Sequence, residues 1–403
     1  MEGVQNSGDS KKEITSHSFL RYAGPLFFLV GIFFINFLSR IILSPLMPTV
    51  EKDLKIGHDE AGSLFFLISL GYCLGMLTSG FISSRFKHRR TIIFSSFAAG
   101  GALLWVSFSS NLWGIRLGLL IMGIAAGFYL PSGIATLTEL VPPRHLGKAF
   151  AIHELAPNLG FILAPILTEF LLEWCLWQSV LTIIGMASLS VGLIFVLRGK
   201  GGNFPGEAPN LGILKNILKE PSLWVMMVFF SLGVGSTVGV YLIIPLYLVA
   251  EKGMDQTWAN TLLALSRISI LATVFLAGWV IDRLGVKKAL KAVFLTTGLV
   301  TAMLGIVSGS WIVLVIFLQP ILAASFFPAG FIALTKIRSP QIKNVAVSLT
   351  VPLGFFIGGG AITAGLGLLG EAGLFFLGFI LFGGLLFAGA ALTRYLDLDE
   401  NQR

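Results

Sequence analysis

Long apolar runs separated by short polar segments make up the chain from about residue 20 to residue 394. About 20 apolar residues can cross a bilayer as a helix, which satisfies its own backbone hydrogen bonds where water is absent. The pattern therefore predicts an all-α membrane protein with twelve transmembrane helices. Their predicted bounds are 22–49, 60–84, 91–109, 112–138, 148–172, 176–197, 222–249, 258–281, 290–308, 311–334, 345–368 and 373–394.

Basic residues cluster on one side of the predicted membrane. Of 28 Lys and Arg residues, 22 lie in the N-terminal tail, the even-to-odd loops and the C-terminal segment. The opposite loops hold only Lys52, Lys55 and Lys252. Because Lys and Arg are retained in short cytoplasmic loops, both termini are expected in the cytoplasm of a multi-pass protein of the inner or plasma membrane. Residues 1–18 are polar and are expected to form a cytosolic tail, since they lack the apolar core of a signal peptide.

Composition excludes several classes of protein. With 55% hydrophobic and 12% charged residues, the chain cannot build a water-facing surface and is expected to be surrounded by lipid. The net charge of +8 reflects the loop asymmetry, and no soluble basic domain is present to bind nucleic acid. Cys73 and Cys175 lack the spacing of a metal site or disulfide framework. We therefore expect that the protein is not an enzyme and has no catalytic residue, metal or cofactor. We also expect it to be a monomer.

Two pairs of segments recur at a separation of 198 residues. "GFISSRFKHRR" at 80–90 matches "GWVIDRLGVKK" at 278–288, and "AAGFYLPSGIATL" in helix 4 matches "AASFFPAGFIALT" in helix 10. Because six spans return the chain to its starting side, the repeats are expected to be parallel. The predicted organisation is a six-helix bundle at 1–197, a Gly- and Pro-rich linker at 198–221 and a second bundle at 222–403.

The repeated loop carries the pattern Gly-x3-Asp-Arg-x-Gly-x-Lys/Arg-Lys/Arg, which resembles the signature of the major facilitator superfamily. The second copy fits at every position, whereas the first has Ser84 for the acid and Lys87 for the glycine. The resemblance implies two bundles that rock around a central site, with the signature loops gating the cytoplasmic end. The alternative, that the basic residues of these loops only set the membrane topology, stays open. The candidate gating residues are Gly80, Arg85, Arg89, Arg90, Gly278, Asp282, Arg283, Gly285, Lys287 and Lys288.

Helix 1 places Asn36, Arg40 and Ser44 four residues apart, and so on one face. An arginine at mid-membrane costs roughly 2.5–3.5 kcal/mol and normally faces a cavity or a partner. Arg40 resembles the first-helix arginine of organic anion and organophosphate transporters, which implies that it grips a carboxylate or phosphate. Arg267, deep in helix 8, is the second candidate. The predicted substrate-binding residues are these four, with a surface-reaching Arg40 and a structurally paired Arg267 as open alternatives.

Helix 5 contains a carboxylate and an imidazole next to each other. Glu154 shares a face with Asn158, and His153 points about 100° away. Burial in the membrane would let Glu154 bind a proton near neutral pH, so Glu154 and His153 are the candidates for proton coupling. A structural pairing of Glu154 with Arg144 is the alternative.

These residues predict a secondary active transporter that moves a small organic anion and is coupled to protons. The alternative is a proton-driven exporter of drug-like amphiphiles, which 34 phenylalanines and an antiporter-like helix 5 favour.

Overall fold

The structure, a computed structural model, describes residues 19–208, 218–337 and 340–398. These residues are almost entirely helical, which confirms the all-α prediction. The predicted N-terminal tail and residues 209–217 of the predicted linker lie outside the described residues.

The first six helices form what we call the N-terminal half. They are α1 (Leu20–Ile41 and Leu43–Leu54), α2 and α3 (58–86 and 88–108 of the segment His58–Phe108), α4 (Leu112–Gly127 and Tyr129–Leu140), α5 (Leu146–His153 and Leu155–Leu172) and α6 (Trp177–Arg198).

The remaining helices form the C-terminal half. They are α7 (Pro221–Val234 and Val240–Ala250), α8 (Gln256–Ile268 and Ile270–Leu284), α9 (Val286–Ile306), α10 (Trp311–Ala324 and Phe326–Thr335), α11 (Pro340–Gly354 and Ile362–Glu371) and α12 (Phe375–Leu392). π-helical turns at Gly235–Gly239 and Phe355–Ala361 join the two parts of α7 and of α11.

Ten segments of the described chain are long and apolar enough to cross a membrane. One of them, His58–Phe108, has 51 residues, and a helix of that length would measure about 76 Å, far more than a bilayer core. Its backbone is not helical at Lys87, which divides it into α2 and α3. The predicted span 258–281 falls on α8, which is not among the ten. Each predicted span overlaps one helix, and the number of twelve spans stays a prediction.

Equivalent glycines pack the same helices together in both halves. A Cβ built on Gly100 of α3 would lie 2.7 Å from the carbonyl oxygen of Gly185 in α6. The corresponding distance from Gly298 of α9 to the carbonyl oxygen of Gly383 in α12 is 3.0 Å. Both pairs are separated by the 198-residue repeat, and small residues of this kind let membrane helices approach closely. The repeat is therefore present in the packing as well as in the sequence.

The signature loops also share an unusual backbone conformation. Lys87 has φ 68° and ψ 156°, and Gly285, its equivalent in the second loop, has φ 77° and ψ 157°. This region is essentially restricted to glycine, because a Cβ clashes with the backbone there. Lys87 therefore keeps the turn of the signature at a cost in strain.

The two halves pack against each other at one end of the molecule. We call it the acidic end, because Glu51, Glu169 and Glu371 lie there, and we call the opposite end, with the signature loops, the basic end. At the acidic end α1 packs on α7, α2 on α11 and α5 on α8. The α2–α11 contact is close, since a Cβ on Gly367 would lie 3.2 Å from the Cα of Gly62. The centres of α1 and α8 therefore lie beneath a packed layer.

Candidate functional site

Arg40 is buried in the centre of the molecule, with 7% of its surface exposed, so it does not reach the outside. Its guanidinium carbon lies 3.7 Å from the ring centre of Tyr72, 4.9 Å from that of Phe37 and 5.3 Å from that of Phe355. Among the described residues its Nε has no hydrogen-bond partner. No carboxylate of the described residues lies within ion-pair distance of this cation.

Arg267 has a similar environment in the C-terminal half. It is 4% exposed, and its guanidinium carbon lies 4.8 Å from the ring centres of both Phe161 and Tyr241. Nη2 donates a hydrogen bond of 3.2 Å to the carbonyl of Thr237, while Nε has no partner. Among the described ion pairs none involves Arg267, so the structure gives no support to a structural pairing with an acid.

Aromatic rings fill the space between the two arginines. Phe37 contacts Phe161 at a ring separation of 4.9 Å, and Phe161 contacts Tyr241 at 4.7 Å. The hydroxyl of Tyr241 donates a hydrogen bond of 3.2 Å to the carbonyl of Phe161 across the two halves. A cavity next to Arg267 measures about 10 Å³, room for roughly one water molecule. An organic ligand that lies between the two arginines would have to displace these rings.

Asn36 and Ser44 lie on the same buried face of α1 as Arg40 but contact different helices. Asn36 donates hydrogen bonds to the carbonyl of Ala126 (3.2 Å) and to Ser95 Oγ (3.4 Å), all within the N-terminal half. Ser44 Oγ donates to the carbonyl of Tyr241 at 3.0 Å and so joins α1 to α7. The predicted stripe exists, but only Arg40 and Ser44 contact the interface between the halves.

The two candidate coupling residues of α5 have opposite environments. His153 is fully buried, stacks on Phe33 at 4.5 Å, and has Nε2 at 3.2 Å from the hydroxyl of Tyr129. Glu154 has 57% of its side chain exposed, with Oε1 3.8 Å from His153 Nδ1. The desolvation expected for Glu154 is therefore absent in this conformation.

One base of each signature loop caps a helix. The Arg89 guanidinium donates hydrogen bonds to the carbonyls of Phe195, Val196 and Gly199 at the end of α6. Lys287 occupies the equivalent position and donates to the carbonyls of Arg394 and Leu396 after α12. Cations stabilise helix C-termini in this way because the last carbonyls lack partners.

The other signature residues do not assemble into a cluster in this conformation. Asp282 is exposed, and the described part of the chain holds no ion pair of its carboxylate. The Arg283 guanidinium lies 4.6 Å from the ring centre of Trp279 on its own helix, and a Cβ on Gly278 would meet open space. The remaining three bases, Arg85, Arg90 and Lys288, are exposed, and Gly80 is half-buried.

A third arginine in a predicted span, Arg116, has an acidic partner. Its Nη2 lies 3.4 Å from Glu60 Oε1 and 3.4 Å from Ser63 Oγ, and its guanidinium lies over Trp113. This ion pair lies inside the N-terminal half. Arg116 therefore differs from Arg40 and Arg267, which have no ion pair among the described residues.

The sequence did not predict the polar contacts that join the halves at the acidic end. Glu169 of α5 accepts hydrogen bonds from Asn260 Nδ2 (2.5 Å) and Thr257 Oγ1 (2.7 Å) of α8. Glu371 accepts one from the backbone nitrogen of His58 at 2.7 Å. Polar residues at the ends of apolar helices were the available signal, but it does not identify their partners.

The first part of the predicted linker, residues 199–206, folds back onto the first signature loop. The backbone nitrogen of Arg89 donates to the carbonyl of Gly202 (2.8 Å), and that of His88 to the carbonyl of Phe204 (3.2 Å). The Phe204 ring lies 4.7 Å from the His88 ring. Gly202 adopts φ 72°, a conformation that suits glycine.

Comparison with protein families and curated proteins gives weak but consistent similarity. The family model described as Major Facilitator Superfamily matches residues 29–275. A probable nitrate/nitrite transporter of Mycobacterium tuberculosis is 22% identical over 66% of this chain and 68% of the relative. A probable hexose phosphate transport protein of Chlamydia trachomatis is 22% identical over 69% and 68%. A Na⁺, Li⁺, K⁺/H⁺ antiporter of Planococcus maritimus is 22% identical over 55% and 56%.

Solved structures share the fold over nearly the whole length. A bacterial homologue of the human lysosomal transporter Spinster superposes with a TM-score of 0.76 at 14% identity, covering 94% of this chain and 97% of that one. A D-xylose–proton symporter superposes with a TM-score of 0.75 at 15% identity, covering 96% and 99%.

Proposed function

The chain belongs to the Major Facilitator Superfamily, and we propose that it is a secondary active transporter for a small organic anion. Two bundles, 1–197 and 222–403, rock about a central site and expose it to each side in turn. The basic end faces the cytoplasm, as the distribution of Lys and Arg favours. The acidic end, packed in this conformation, is the extracellular gate, and the signature residues gate the cytoplasmic end.

The observation that carries the proposal is the pair of buried guanidiniums that have no carboxylate partner among the described residues. Arg40 and Arg267 are each at least nine-tenths buried, and each has an unpaired Nε. Stacking on aromatic rings contributes about 0.5–2 kcal/mol, which offsets only part of the cost of a buried cation. An anion with two oxygens supplies the missing charge and acceptors, because guanidinium donors match carboxylate and phosphate in pairs.

The named substrates of two relatives agree with this chemistry. Nitrate, nitrite and hexose phosphate, the compounds in their names, are anions. The third relative is named for cations, so similarity alone does not decide the charge of the substrate. The two unpaired arginines favour the anion.

We assign proton coupling to Glu154 with His153 as its neighbour. Glu154 is exposed in this conformation, and its Oε1 lies 3.8 Å from Nδ1 of His153, whose ring stacks on Phe33 of α1, the helix that carries Arg40. The exposed carboxylate also supports the second candidate function, a proton-driven exporter of cationic amphiphiles, in which Glu154 would bind the cation.

Binding of a small panel tests the function directly. We propose thermal-shift and calorimetric measurements with nitrate, acetate, benzoate, glucose 6-phosphate and the cation ethidium, since a bound ligand raises apparent stability. An anion should bind wild type, and Arg40→Lys should weaken it about ten- to hundredfold, because the charge remains but the paired donors are lost.

Arg116→Lys is the matched control, since this arginine already has the acidic partner Glu60 and lies outside the proposed site. It should bind the anion as wild type does. Binding of ethidium alone, or equal anion affinity in wild type, Arg40→Lys and Arg40→Ala, would reject the anion site.

A further inference from the structure

Each buried arginine contacts an aromatic ring of the opposite half. Arg40 belongs to α1, and its guanidinium carbon lies 5.3 Å from the ring centre of Phe355 in α11. Arg267 belongs to α8, and its guanidinium carbon lies 4.8 Å from the ring centre of Phe161 in α5. The arrangement is reciprocal, since each half supplies one cation and one ring.

These contacts carry electrostatic energy that ordinary packing of rings lacks. A guanidinium within about 6 Å of a ring is attracted by the negative face of the ring, and the attraction grows when water is excluded. In the described residues neither cation has a carboxylate to compete for it. Because the rings belong to the opposite half, opening of the acidic end separates each cation from one of its rings.

We propose that the cross-half pairs Arg40–Phe355 and Arg267–Phe161 keep the acidic end closed while the central site is empty, and that a bound anion releases them. The release step rests on the anion function proposed above. The faces of both guanidiniums are covered, so an anion binds at their edges, where it neutralises the charge that attracts the rings. It also needs space that Phe37, Phe161 and Tyr241 now occupy, and the rings must move.

The direct test weakens the negative electrostatic potential of the ring face and leaves the shape of the ring nearly unchanged. Fluorinated phenylalanine, in a series from one to three fluorines, replaces Phe161 or Phe355 in the full chain. Spin labels on Glu173→Cys in the loop after α5 and Glu251→Cys in the loop after α7 report separation of the halves at the acidic end. The background carries Cys73→Ser and Cys175→Ser.

The matched control is Phe356, which contacts Phe66 across the halves at 5.4 Å and, in the described part of the chain, has no arginine over its ring. Without ligand, fluorination at 161 or 355 should raise the ratio of open to closed distances in steps, by about two- to thirtyfold at three fluorines. Fluorination at 356 should leave the ratio within twofold of wild type. Addition of nitrate, acetate, benzoate or glucose 6-phosphate should raise the ratio of open to closed distances in wild type. The rise should be smaller in the variants that are already open.

Equal effects at 356 and at 161 or 355, or no effect at any position, would overturn the proposal. The ligand-free measurement needs no anion, so it tests the cross-half contacts even if the anion function fails. Should fluorination open the acidic end while no anion of the panel does so, release by an anion is refuted, and the binding test on Arg40→Lys separately decides the anion function.

Discussion

Lys87 is a side-chain-bearing residue in a backbone region that suits glycine. Its φ of 68° and ψ of 156° nearly equal those of Gly285 in the second signature loop. Such a conformation costs about 1–3 kcal/mol, of which the greater entropy of an unfolded glycine would cancel roughly 0.5–1 kcal/mol.

We therefore predict that Lys87→Gly raises the apparent melting temperature of the purified protein, by the equivalent of about 0.5–2 kcal/mol. Lys87→Ala, which removes the charge but keeps the Cβ, is the control and should give no such gain. Equal melting temperatures for Lys87→Gly and wild type would show that the turn is not strained.

Glu154 is the residue on which proton coupling depends in this account. Glu154→Gln keeps the size of the side chain and one oxygen acceptor but removes the ionisable carboxyl group. It should abolish anion uptake driven by a pH gradient in proteoliposomes and leave exchange of anion across the membrane intact. Gradient-driven uptake at the wild-type rate would show that Glu154 is not the coupling residue, and His153 would be the next residue to substitute.

Where α5 packs on α8 at the acidic end, the Glu169 carboxylate joins the two helices by hydrogen bonds. Glu169 uses both oxygens as acceptors, for Asn260 and Thr257. Hydrogen bonds to a charged group contribute about 1.5–3 kcal/mol each, so their loss should favour opening of this end.

The variant Glu169→Gln loses the charge and one of the two acceptor positions. A cysteine at Ser44, buried against Tyr241 in this conformation, should then react with a membrane-impermeant thiol reagent about tenfold faster. Glu173→Gln, one turn further along the same exposed helix end, is the control and should not change the rate. An unchanged rate in Glu169→Gln would show that the Glu169 hydrogen bonds do not hold the acidic end closed.

The helices were largely predictable from sequence, whereas the contacts between them were not. Apolar length predicts a span because lipid offers the backbone no partner, and this reasoning located every helix from α1 to α12 to within several residues. The fold of residues 199–206 onto the signature loop was not predictable, because glycines permit many conformations and the partners, Ser83 and Arg89, lie more than 100 residues away.

The same distinction holds for the site. Arg40 and Arg267 could be selected from the sequence, because an arginine inside a membrane is costly and therefore needs a reason. The rings that cover them, Phe161, Tyr241 and Phe355, could not be selected, since nothing local distinguishes them among 34 phenylalanines and other apolar residues. Their role depends on which helices meet between the halves, which is a property of the tertiary structure.

The structure is closed at the acidic end, and at the basic end the signature residues do not form a cluster. The halves repeat each other in glycine packing and in helix capping by Arg89 and Lys287. They differ where function is proposed, since Arg40 has Val238 and Arg267 has Ser69 at the repeat-equivalent positions. The repeat therefore accounts for the scaffold, and the two arginines are additions to it.

Uptake into proteoliposomes distinguishes an anion transporter built on Arg40 and Arg267 from an exporter of cations. The measurement compares radiolabelled anions of the panel with ethidium, in wild type and in Arg40→Gln, Arg267→Gln and the control Arg116→Gln. We expect saturable uptake of an anion by wild type and Arg116→Gln, reduced at least about tenfold in each of the other two variants. Transport of ethidium but of no anion, or anion uptake unaffected by loss of Arg40 and Arg267, would refute the anion function.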